Sequence, residues 1–177
     1  MKKNITFVLV LLIVASSEFF AQSFAIGAQG AYVKSQDADG VIMPAAAVRL
    51  GLGGLEVEGS IGYKSDKYFN GAVTTTTYPI MLTGFIGFLP FIHLEGGIGW
   101  YNTKVEYSGL YAGTPSETYS DIGYHAGAGA EIPLGNLVLT GDIRYVIEKT
   151  KLANVKTTSD LKSDFYMIVV GLMFKLF

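Results

Sequence analysis

The sequence predicts an all-β fold: an eight-stranded antiparallel up-and-down transmembrane β-barrel preceded by a cleavable signal peptide. Three observations predict it. From residue 23 onward, apolar residues alternate with small or polar ones through eight segments, the period of two that an extended chain imposes. The gaps between the segments alternate between long and short. An aromatic residue also recurs on the apolar parity, near the long-gap end of nearly every segment.

The 177 residues make room for one domain. Only 16% of them are charged, and mean hydropathy is +0.37. Beyond the N-terminus, no stretch reaches the ~20 unbroken apolar residues a spanning helix needs. Residues 1–21 read as a signal peptide. Lys2 and Lys3 form its positive start, and Ile5 to Ala15 form an apolar run short for a membrane span. Cleavage after Ala21 fits best, with Ser17 as the alternative, leaving residues 22–177 as the barrel domain. The chain has no cysteine, so disulfides, thiolate metal sites and a lipidated N-terminal cysteine are all excluded. A net charge of −2, with no basic stripe, gives no reason to expect a nucleic-acid partner. No cofactor is implied.

The segments are about 23–35, 41–51, 55–65, 73–88, 91–106, 119–133, 136–149 and 163–176. "GLGG" at 51–54, "FLPF" at 88–91 and "PLGN" at 133–136 have the Gly, Pro and Asn content of tight turns. The remaining gaps are longer and polar. Even strand number, with short turns at one end and long loops at the other, is the plan of outer-membrane barrels. Tyr32, Tyr63, Tyr78, Trp100, Tyr124, Tyr145 and Tyr166 share the apolar parity. Each stands eight positions from a hydrophobic residue at the other end of its segment; Leu137 and Tyr145 are one such pair. Eight residues at ~3.3 Å rise and ~40° tilt cover roughly 20 Å of depth. That approximates an apolar band of ~25 Å edged by aromatic girdles. The second segment alone lacks a ring there, carrying Ile42 or Pro44.

The opposite parity holds small and charged residues. Glycine and alanine suit a crowded interior, because an eight-strand barrel is only wide enough for its own side chains, and charges buried there must be paired. An interior polar network of Arg49, Glu56, Glu58, His93, Glu95, Glu131, Asp142 and Arg144 is therefore expected, as structural filling. The 51–54 turn is expected to set Arg49 across from Glu56. The 133–136 turn is expected to set His125 near Arg144 and Gly127 near Asp142.

On this strand count, loop alternation and girdle, residues 22–177 resemble the small eight-stranded outer-membrane β-barrels. These are the OmpX and OmpA transmembrane-domain type, the "outer membrane protein beta-barrel domain" or porin family. The resemblance implies the outer membrane of a Gram-negative bacterium, a lipid environment and a monomer. It also implies that the barrel-assembly machinery reads the last strand, "FYMIVVGLMFKLF", through Phe174, Leu176 and Phe177. Phe177 departs from the family pattern by sharing the parity of Lys175, so either Leu176 takes the lipid-facing place or the strand end is bulged.

Catalytic constellations are not evident. Barrel lipid A deacylases share a His-x-Ser pair, whereas His125-Ala126-Gly127 and His93-Leu94-Glu95 both lack the serine. His93 and Glu95 share a face, but a His beside a Glu in a packed polar interior is far more often hydrogen-bonded filling than a metal or acid/base site. Three function classes follow. The first is a structural or surface-interaction protein, meeting an extracellular partner through loops 106–120 and 149–160. The second is a narrow channel for ions or small solutes, and the third a secreted lipocalin-like carrier with its apolar face inward.

Overall fold

A computed structural model describes residues 23–35, 40–68, 72–109, 115–150, 161–162 and 164–177. The expected signal peptide and most of the loop 149–160 lie outside the described residues. So does the tip of the loop 106–120, at 110–114.

The strands are β1 (Ser23–Ser35), β2 (Val41–Gly51), β3 (Leu55–Gly62), β4 (Lys64–Tyr68), β5 (Val73–Leu89), β6 (Ile92–Tyr107), β7 (Glu117–Leu134), β8 (Leu137–Thr150), β9 (Leu161–Lys162) and β10 (Phe165–Lys175). They form eight staves. β3 and β4 both pair with β5, and β9 and β10 both pair with β8, so each couple is one interrupted strand. Every pairing is antiparallel between sequence neighbours, and β1 closes the ring against β10 from Ala25↔Lys175 to Ser35↔Phe165. Closure leaves no unpaired edge in the wall, the condition for a sheet to survive where water cannot satisfy backbone groups.

Two tight turns place the registers two residues away from the sequence expectation. Gly53 and Gly54 both take positive φ, 65° and 101°, as a two-residue hairpin turn of the primed type requires. Leu52 N–H donates to the Leu55 carbonyl. Arg49 consequently stands opposite Glu58, and Gly51 opposite Glu56. At the other turn Gly135 (φ 69°) lets Leu134 pair with Leu137. Gly127 then faces Arg144, Gly129 faces Asp142, and His125 faces Val146. A slip of two keeps every side chain on its expected face, because the strand period is two.

That face assignment is the main structural fact. Ile26, Val48, Ile61, Leu82, Leu94 and Ile143 point outward, each more than two-fifths exposed. Arg49, Glu58, Glu95, Asp142 and Arg144 point inward and are buried. An exterior apolar to this degree around a charged interior is the inverse of a soluble barrel, which overturns the lipocalin-like reading.

Candidate functional site

The interior is layered along the barrel axis. At the short-turn end a cavity of about 260 Å³ opens among Ser23, Gly51, Glu56, Phe85, His93 and Glu131. Small residues at strand starts and the tight turns keep this vestibule open.

Above it lies a charged belt. Arg49 on β2 donates through Nε and Nη2 to Glu58 Oε2, at 3.1 and 2.8 Å, and through Nη1 to Glu56 at 3.2 Å. It also bonds Glu131 across the barrel. Its guanidinium lies 4.3 Å from the centre of the Phe85 ring, where the ring's negative face adds to the attraction. Gln29 from β1 donates to the other Glu58 oxygen at 2.9 Å. Arg144 on β8 donates to Glu95 at 2.8 Å and to Asp142 at 3.5 Å, and lies 4.0 Å from Glu58. Asp142 also meets His93 Nε2 at 2.9 Å. All eight residues singled out in the sequence thus fall in one connected set, centred on the two guanidiniums.

Interior glycines explain how these groups meet. His93 and Asp142 sit on strands separated by β7, opposite the same residue, Gly129. A Cβ on Gly129 would run into Asp142 Oδ1 and come within 2.6 Å of His93 Nε2. One row up, Glu95 and Arg144 meet over Gly127, whose added Cβ would sit 2.7 Å from Glu95 Oε1. Thr83 and His125 (Oγ1 to Nε2, 3.0 Å) meet over Gly97 in the same way. Gln29, which joins the network through Glu58, and the separate Thr83–His125 pair are additions to the set expected from the sequence. Their inward parity opposite small residues was the available signal.

The long-loop half of the interior carries a different filling. Val33, Met43, Met81, Tyr101, Phe165 and Met167 pack with Ala31, Val146 and Val169 into one buried apolar cluster. Tyr101 and Phe165 meet edge to face with ring centres 5.9 Å apart. The sequence predicts a small and charged inner face throughout. That description fits the short-turn half, apart from a small buried cluster of Ala25, Ala47, Val138 and Met173, whereas the long-loop half is filled mainly by the apolar plug, with Lys64, Thr77, Thr103 and Glu148 around a cavity beside it.

Outside, the seven girdle residues all point away from the axis, from 36% exposed for Trp100 to 58% for Tyr124. Tyr63 and Tyr78 pack with ring centres 5.5 Å apart, and Tyr145 and Tyr166 at 4.9 Å. Beyond them the strands continue but change character. Thr74–Thr77, Asn102–Glu106 and Thr118–Ser120 remain paired on β5, β6 and β7, now mostly polar, with Val105 and Tyr119 the exceptions. Ser120 donates to Asn102 at 3.0 Å, and Lys104 to Glu106 at 2.7 Å. At the C-terminus, Leu176 N–H bonds the Phe24 carbonyl and Phe24 N–H bonds the Phe177 carbonyl. Phe174 and Leu176 face outward, and Phe177 stacks its ring on Phe24 at 6.0 Å. Both terminal residues are therefore exposed outside the wall.

A model of the family described as "Outer membrane protein beta-barrel domain" matches residues 6–174. The chain belongs to that family, and the protein resides in the outer membrane with its outward apolar face in lipid. Among solved structures, the chain is similar to Neisserial surface protein A at 12% identity and TM-score 0.64, covering 87% of this chain and 96% of that one. The N-terminal barrel of Pseudomonas aeruginosa OprF is 11% identical, with TM-score 0.58 over 86% and 97% of the two chains. Ail, the attachment invasion locus protein of Yersinia pestis, is 17% identical, with TM-score 0.57 over 87% and 97%. No curated protein sequence matches. In such barrels the short turns are periplasmic and the long loops extracellular, so the vestibule opens to the periplasm and the plug lies beneath the outer surface.

Proposed function

We propose that this is a closed, non-catalytic barrel with a structural or surface-interaction role, working as a monomer and meeting its surroundings at the extracellular end. Residues 1–21 act as its signal peptide, and Phe174, Leu176 and Phe177 serve as its assembly signal. The observation that carries this reading is the apolar plug. The vestibule reaches Glu56, His93 and Glu131, and beyond the charged belt Met43, Met81, Tyr101, Phe165 and Met167 pack into one apolar cluster, with a separate cavity of about 70 Å³ between that cluster and Lys64, Thr77, Thr103 and Glu148. A continuous wet path is what the channel reading needs, and a dry cluster of this kind opposes it. The contact surface in this reading is the polar sheet above the girdle, with Asn102, Lys104, Glu106, Thr118 and Ser120, together with the loops 106–120 and 149–160. The similar Neisserial and Yersinia proteins are named for the cell surface and for attachment, which accords with a role at that end.

Planar-bilayer recording tests the closed state. The wild-type protein should give no stable unitary conductance, and the double variant Met43→Ala, Met167→Ala should give small, brief openings. Stable ohmic steps from the wild type would establish the channel instead. Replacing residues 108–116 by a short Gly-Ser turn tests the outer end. The band that shifts on heating in SDS gels should persist while adhesion of cells displaying the protein falls. Unchanged adhesion, with the loop 149–160 also shortened, would remove the surface-contact role.

A further inference from the structure

The vestibule side of the charged belt contains an arrangement that structural filling does not require. A ring nitrogen of His93, one carboxylate oxygen of Glu95 and one of Asp142 all lie within 4.8 Å of one another, and all three residues are buried. His93 and Glu95 alone look like filling. The third donor comes from β8, across Gly129, and register brings it in. His93 Nε2 and Asp142 Oδ1 are hydrogen-bonded at 2.9 Å; an ion replacing that proton would need them about 3.0 Å apart in an octahedral site or about 3.4 Å apart in a tetrahedral one, for bonds of about 2.1 Å. Arg144 occupies only one side of each carboxylate, bonding Glu95 Oε1 and Asp142 Oδ2. That leaves Glu95 Oε2 buried with no hydrogen-bond partner, on a side chain with no solvent exposure. Such an orphan is costly unless something takes its lone pairs.

Charge points the same way. Glu56, Glu58, Glu95, Glu131 and Asp142 are opposed in this half of the interior by Arg49 and Arg144, with Lys175 near the rim. The carboxylates outnumber the permanent cations. His93 also lines the vestibule, which gives the site an aqueous approach from the periplasm. We propose that His93, Glu95 and Asp142 form a binding site for a divalent first-row transition ion taken up from the periplasm. One imidazole and two carboxylates favour zinc, manganese or ferrous iron over calcium, which prefers oxygen donors throughout.

Zinc titration of the folded protein in detergent, followed by isothermal calorimetry, tests this. One equivalent should bind saturably. His93→Gln and Glu95→Gln should each weaken binding at least tenfold, while His125→Gln, on the other buried imidazole, should bind as the wild type does. Because a variant could fold poorly, manganese broadening of wild-type amide resonances provides a second reading. Gly127, Gly129 and Asp142 should broaden before Val33 or Met43 in the plug. No saturable binding up to about 1 mM zinc, wild-type affinity in His93→Gln, or broadening confined to the loops would each overturn the site.

Discussion

Leu139→Arg is expected to destabilise the inserted barrel by roughly 2–4 kcal/mol, the cost of a cationic side chain on the lipid face toward mid-depth. Leu139 points outward on β8, 38% exposed, and pairs with Ile132 on β7 and Leu172 on β10, both outward and apolar. No carboxylate next to it on that face of β8 could compensate for the new charge, because the neighbours of the same parity are Leu137, Gly141, Ile143 and Tyr145. Depth should grade the penalty. Leu137→Arg, beside the Gly135 turn, can extend its guanidinium to the headgroups and should cost about 1 kcal/mol or less. Urea midpoints for reversible insertion into vesicles measure both. Equal, near-zero values would mean that this face of β8 does not contact lipid.

The wall was legible in the sequence because two independent periodicities agree. Alternation fixed the faces, and the long and short gaps fixed the strand order. A membrane barrel turns its apolar parity outward, so a pattern that would mark a soluble core marked the exterior instead. The interior was less legible. Register depends on turn geometry, and the Gly53–Gly54 and Gly135 turns proved tighter than their neighbouring letters suggested. The interior charges were found by parity, but their partners were not. His93 reaches Asp142 over Gly129, a contact between strands that are not neighbours. Alternating glycines on β7 are therefore not merely small filling; they are the places where side chains from β6 and β8 can touch. The plug was missed for another reason. Met43, Met81 and Met167 look like ordinary strand residues, and only closure of the ring gathers them into one cluster.

The division between belt and plug leads to the second large effect. Arg144→Met should lower stability by about 3–5 kcal/mol, the usual result of removing one partner from a buried ionic group. Arg144 is 1% exposed and is shared by Glu95, Asp142 and Glu58. Above it stands the apolar cluster of Met43, Met81, Val146 and Met167, whose side chains offer the carboxylates no replacement donor. Glu95 would keep none of its described hydrogen bonds, since Oε1 bonds Arg144 and Oε2 has no partner. Arg49→Met should cost less, although Arg49 makes more contacts. Two of its carboxylates, Glu56 and Glu131, are 33% and 22% exposed at the vestibule and can hydrate when it is gone. The third, Glu58, retains Gln29. Adding Glu95→Gln to Arg144→Met should recover a substantial part of the loss, because the double variant no longer strands that charge. Urea midpoints for the two single variants and the double variant decide the matter. If Arg49→Met proves the more damaging, or Glu95→Gln brings no recovery, then paired charge is not what holds the belt together.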